Sequence, residues 1–77
     1  MMTILFVCVH NAGRSQMAEG SFNQLAEGRA RAISAGTDPA DSIDPTVAGA
    51  MREVGIDISD QRPKVLTPRM IGQADTL

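Results

Sequence analysis

Met2-Thr3-Ile4-Leu5-Phe6-Val7 is an apolar run without the alternation of a half-exposed strand, which predicts a strand covered on both faces. After a short polar break the pattern becomes helical. Ala18, Phe22, Leu25 and Ala26 fall at i, i+4, i+7 and i+8, so the spacing predicts a helix from about Ser15 to Glu27 with these residues on its buried face and Gly28 as its stop. Arg31 to Ala35 reads as a second strand, because a strand followed by a helix needs a parallel partner. Gly36 to Ser42, with Pro39, is a loop. Asp44 then caps a helix that has Pro45 at its first position, Val47, Ala48, Met51 and Val54 along one face, and Gly55 as terminator. Thr67-Pro68 repeats that capping pattern for a shorter helix through Met70 and Ile71, and Asp75-Thr76-Leu77 begins a further strand. The order βαβ followed by helices predicts an α/β fold with a flavodoxin-like parallel sheet, and a ligand at the carboxyl end of the first strand.

Composition narrows the partners. Seventy-seven residues allow one domain, residues 1–77, with a small core. A net charge of -2 argues against nucleic acid or an anionic membrane surface. No apolar stretch reaches bilayer-spanning length, and the apolar start lacks a basic leader and a cleavage site, so a cytoplasmic location is expected. The single cysteine permits no internal disulfide, and its i, i+2 spacing from the one histidine is no zinc pattern, so no metal is expected.

That cysteine opens the most informative segment, Cys8-Val9-His10-Asn11-Ala12-Gly13-Arg14-Ser15, which joins the first strand to the first helix. Such a turn aims backbone N–H groups at an anion, and the same positive field stabilises a thiolate at Cys8. Ser15 can donate a hydrogen bond to the sulfur, while Arg14 presents a fork of donors to two ligand oxygens. A cation at a helix N-terminus is unfavourable unless an anion is bound, and Asn11 and Gly13 suit a loop that visits positive φ. Cys8, Arg14 and Ser15 are therefore the candidate catalytic residues, and Val9, His10, Asn11, Ala12, Gly13 and Arg14 the candidate oxyanion cradle. The ring of His10 is read as a surface group in preference to a modulator of the thiolate.

Cys8-x5-Arg14-Ser15 after Ile4-Leu5-Phe6-Val7, continued by Gln16-Met17-Ala18-Glu19-Gly20, resembles the low-molecular-weight protein tyrosine phosphatase superfamily. His10 through Glu19 is most similar to its arsenate reductase branch. The likeness continues through Ile33 to Thr37, Asp44-Pro45, Val54 to Ser59 and Arg62-Pro63-Lys64. Members of the family are longer, and the resemblance implies a domain truncated after its third helix, with the general acid and any further cysteines beyond Leu77. Asp44-Pro45 looks like the family's acidic Asp-Pro, yet its place before Val47, Ala48 and Met51 fits a helix cap.

The resemblance implies an arsenate reductase. With one cysteine the second thiol must come from outside, from a small thiol such as glutathione or mycothiol or from a redoxin such as thioredoxin or glutaredoxin; no bound cofactor is expected. The alternatives are a phosphotyrosine phosphatase, in which water resolves a thiophosphate, and a non-catalytic oxyanion-binding fragment. Phe6 and Phe22 are the only aromatic residues and read as core, so an aryl pocket has no obvious walls, which favours the small oxyanion. The incomplete sheet also leaves an open edge, through which a homo-oligomer is expected.

Overall fold

The computed structural model describes residues 2–76. β1 (Met2–Cys8) and β2 (Ala30–Gly36) pair in parallel, from Met2 opposite Ala30 to Cys8 opposite Gly36, and α1 (Arg14–Ala26) is the connection between them. α2 (Pro45–Glu53) and α3 (Pro68–Gln73) follow. Val65 bridges to Gly36 on the outer edge of β2, and Thr76 bridges to Ile4 on the opposite edge of β1, both in parallel. Of the strand expected from Asp75, the described residues show an isolated parallel bridge at Thr76; Leu77 lies outside them. Because Cys8 and Gly36 are in register, the β1–α1 loop leaves the carboxyl end of the sheet beside the end of β2.

Helix termini follow the local chemistry. The Asp44 side chain accepts from Thr46 N at 2.9 Å, and Thr67 Oγ1 accepts from Met70 N at 3.2 Å, each before a first-turn proline. Asp44-Pro45 is therefore a cap, as its setting predicts. α1 ends at Ala26, one residue short of the expected Glu27: Glu27 itself takes left-handed φ 50°, and Gly28 follows at φ 83°.

The buried face of α1 differs from the expected one. Leu25 is 77% exposed, whereas Ser15, Gln16 and Gly20 are the buried residues of this helix. At about 100° per residue the apolar stripe Ala18–Phe22–Leu25 is turned roughly a quarter-turn or more away from the buried side. Polar groups occupy the sheet-facing positions because the sheet offers them partners: Glu19 accepts from Ser34 Oγ at 2.8 Å, and the Asn23 amide pairs with both backbone groups of Ala32 at 2.7 and 3.1 Å. Val54, placed on the buried face of α2, is likewise 67% exposed, since α2 ends at Glu53 and Val54 is its C-cap. Phe22 meets Phe6 edge-to-face at 6.4 Å on the rim of the buried region.

Leu5, Ala32, Ala35, Met51 and Ile58 form a small apolar core. Ile58 sits under Gly20, where an added Cβ would lie 2.6 Å from its Cγ2, so the glycine permits the close approach of α1. The turn holding Ile58 is closed by Asp57, which accepts from Ser59 N at 2.9 Å; hydrogen bonds from Ser59, side chain and backbone, hold the Asp57 carboxyl below the usual carboxylate range.

The two sheet edges differ. β2 is blunted by the Asn23 amide at Ala32, and at Gly36 by Lys64 O and Leu66 N at 2.7 and 2.8 Å. On the outer edge of β1, Asp75 N donates to Thr3 O at 2.7 Å and Leu5 N donates to Thr76 O at 3.0 Å. Val7 presents its backbone to the same edge by strand alternation and is 43% exposed, with no partner for it among the described residues.

Candidate oxyanion site

The loop from Cys8 to Gly13 is shaped by where its carbonyls go. Cys8 O accepts from Thr37 N at 3.1 Å, Val9 O from Asp38 N at 2.8 Å, His10 O from Ala40 N at 2.9 Å, Ala12 O from Asp44 N at 3.0 Å and Gly13 O from Met17 N at 2.9 Å. Asn11 O accepts from Gln16 Nε2 at 3.0 Å. In a planar trans peptide the N–H of the next residue points opposite to the carbonyl. Fastening the six carbonyls outward therefore turns the N–H groups of Val9, His10, Asn11, Ala12, Gly13 and Arg14 toward the concave side. One of them is already seen there, Asn11 N donating to Cys8 Sγ at 3.1 Å. The turn requires left-handed backbone at Asn11, φ 51°, as the sequence suggested, whereas Gly13, expected to share that conformation, sits at φ -135° as the N-cap of α1. It also requires Gly36, where an added Cβ would come within 2.5 Å of Val9 O.

The α1 N-terminus continues the cradle. Its N-cap is Gly13, without a side-chain cap, and no acidic residue occupies the first turn, so the positive end of the helix is left for a ligand. Arg14 is exposed beside Cys8 and has no carboxylate partner among the described residues. Cys8, half-buried, lies 2.7 Å from Ser15 Oγ. The ring of His10 is exposed, with Nδ1 donating to Asp38 O at 3.0 Å, so it serves the outside of the loop, in keeping with its reading as a surface group.

Behind the loop lies a buried polar group that pattern reading missed. Asn11 Nδ2 donates to Ser15 Oγ at 2.7 Å and to Ser34 Oγ at 2.9 Å, and Asn11 Oδ1 accepts from Lys64 N at 2.8 Å. Ser34 Oγ in turn donates to Glu19, whose carboxylate is 3.7 Å from Lys64 Nζ. Asn11, Gln16 and Ser34 are fully buried and Ser15 nearly so. Because Ser15 Oγ accepts from Asn11, its single proton is free for the sulfur. A signal for this group exists in the sequence: Ser15, Gln16, Glu19 and Asn23 form a polar helical stripe opposite the exposed Leu25.

An open trough of about 370 Å³ adjoins the thiol, lined by Phe6, Val7, Cys8, Arg14, Ser15 and Ala18. Phe6 therefore borders the site and is not core alone. No cluster of metal-ligating side chains occurs among the described residues, and no helix is long and apolar enough to cross a membrane.

A thiol beside a loop whose six carbonyls are all engaged elsewhere, with a guanidinium at the rim, is chemically suited to hold a tetrahedral oxyanion against a sulfur nucleophile. Residues 3–77 match the model of the low molecular weight phosphotyrosine protein phosphatase family. An arsenate reductase of Bacillus licheniformis is 41% identical over 73 residues, which are 95% of this chain and 52% of that protein. The solved thioredoxin-dependent arsenate reductase of Corynebacterium glutamicum superposes with TM-score 0.94 at 42% identity, covering 99% of this chain and 40% of that one. A low molecular weight protein tyrosine phosphatase from T. tengcongensis gives TM-score 0.89 at 37% identity, covering 100% of this chain and 57% of that one. The chain spans about half the length of the curated relatives it matches.

Proposed function

From the premise that this chain belongs to the low molecular weight phosphotyrosine protein phosphatase family, we propose that its cradle takes arsenate and that Cys8 begins its reduction with an external thiol donor. The observation that carries the reading is the fastening of the six carbonyls from Cys8 to Gly13, which leaves the N–H groups of the loop for an anion beside the thiol. In the proposed reaction the Cys8 thiolate bonds to arsenic and one oxygen leaves as water. An external thiolate then attacks Cys8 Sγ. The new S–S bond forms as the S–As bond breaks, its electron pair stays on arsenic, and arsenite departs. A second thiol reduces the mixed disulfide and restores Cys8. The thioredoxin dependence of the C. glutamicum relative supports a redoxin as donor.

A second reading, phosphomonoester hydrolysis, is favoured by the trough: Phe6, Val7 and Ala18 provide apolar walls for a leaving group beside Cys8. Incubating the purified chain with arsenate plus thioredoxin, glutaredoxin, glutathione or mycothiol, and separately with p-nitrophenyl phosphate, tests both. Arsenite formed in step with donor oxidation, and lost in Cys8→Ser, is the expected result. Nitrophenol release without arsenite would transfer the site to the phosphatase reading. Neither product, with arsenate still protecting Cys8 from iodoacetamide, would leave an oxyanion-binding fragment.

The open edge of β1 at Val7, which is 43% exposed, also supports self-association through that edge, since β2 is blunted. Light scattering of the chain is expected to show a dimer or larger species. A compact monomer with strongly protected Val7 amide exchange would contradict this.

A further inference from the structure

Of the six outward carbonyls of the loop, five accept from backbone N–H groups; that of Asn11 alone is held by a side chain, Gln16 Nε2. The exception falls on the residue with left-handed φ, the peptide least able to hold itself in place. Gln16 is fully buried, and its amide orientation is fixed by two backbone carbonyls, Asn11 O at 3.0 Å and Arg62 O at 2.9 Å, both of which require a donor. One of its two N–H groups is shared with Asn11 Oδ1, at 2.9 Å. Its Oε1 is left to accept, and Gln61 Nε2 donates to it at 2.7 Å while donating to Gln16 O at 3.0 Å. Donors thus run in one direction, from Gln61 to Gln16, to Asn11, to Ser15 and on to the Cys8 sulfur.

We infer that Gln16 is a positioning residue for the oxyanion reaction. It latches the Asn11–Ala12 peptide with the Ala12 N–H facing the anion, and helps hold the Asn11 amide so that Ser15 directs its proton to Cys8. Gln61 fixes Gln16 in turn. The inference rests on the oxyanion reading of the loop. Without the latch, the Asn11–Ala12 peptide can rotate and present a carbonyl where the anion needs a donor.

Gln16→Glu tests the role because it keeps shape and exchanges the donor for an acceptor that becomes a donor again on protonation. Sulfate is the probe, since its charge is constant over the range used, and binding is measured by calorimetry from pH 8 to pH 5 beside wild type. At pH 8 the variant is expected to bind roughly tenfold more weakly, the scale of one hydrogen bond that sets a charged site. The ratio to wild type should close toward one as the buried carboxyl takes up a proton. Alkylation of Cys8 by iodoacetamide should be slowed at pH 8 in the same variant and recover relative to wild type at lower pH. A ratio of one throughout, or a deficit that does not change with pH, would overturn the latch, the latter because mere packing damage has no reason to titrate. Should Gln16→Glu fail to fold, Gln61→Glu, at the half-buried end of the chain of donors, is expected to weaken sulfate about threefold through loss of the two neutral hydrogen bonds its amide donates to Gln16; unchanged binding would overturn the inference. Failure of the wild type to bind sulfate or arsenate would instead remove the oxyanion reading itself.

Discussion

Gly36→Ala is expected to abolish measurable oxyanion binding and to lower stability by about 1–3 kcal/mol, the cost of forcing a methyl into a filled site. The new Cβ would stand 2.5 Å from Val9 O and 3.0 Å from Asn11 Cβ. These are positions in the backbone of the cradle and at the base of its key side chain, so no flexible side chain can move aside. β2 cannot withdraw either, because Gly36 N donates to Lys64 O at 2.7 Å and Gly36 O accepts from Leu66 N at 2.8 Å. The loop must therefore move, and the N–H groups of Val9 through Arg14 lose their common focus. Gly49→Ala and Gly72→Ala are the matched controls, since an added Cβ there meets nothing within 4 Å. In these helices they should stabilise by roughly 0.5–1 kcal/mol and leave binding alone. Calorimetric titration with phosphate and a thermal melt of the three variants decide the matter; wild-type affinity in Gly36→Ala would mean that the loop geometry at Val9 is not the anion seat.

Arg14→Lys should weaken phosphate or arsenate binding by roughly ten- to a hundredfold although the charge is kept, because a fork of donors to two oxygens becomes a single point donor. The melting temperature should hardly change, since Arg14 is exposed and bridges no carboxylate among the described residues. This separation of affinity from stability distinguishes a ligand-facing arginine from a structural one. Unchanged affinity would place Arg14 outside the site.

The chemistry of the site was largely written in local sequence. One cysteine, an arginine six residues on, a hydroxyl after it and a strand before it fix the sulfur, the loop and the helix terminus, because these relations span a single turn of chain. The caps at Asp44 and Thr67 were legible for the same reason: each needs only its own residue and the next few N–H groups. The parallel partner of β1 followed from the logic of the βαβ unit.

Tertiary structure decided what apolar counting could not. Leu25 is exposed and Gln16 buried, the reverse of their intrinsic preferences, because the sheet and the Arg62–Lys64 segment supply hydrogen-bond partners to one side of α1. The outward pull on the loop carbonyls comes from Thr37, Asp38, Ala40 and Asp44, residues about thirty positions away along the chain whose N–H groups carry no sequence signature of their own. Gly36 reads in sequence as the opening of a loop, and only the approach of Val9 O shows why no side chain fits there. Local sequence specified a thiol and a turn; long-range hydrogen bonds from Thr37, Asp38, Ala40 and Asp44 determined which way four of the six peptides of that turn face, and the proposed anion seat depends on them.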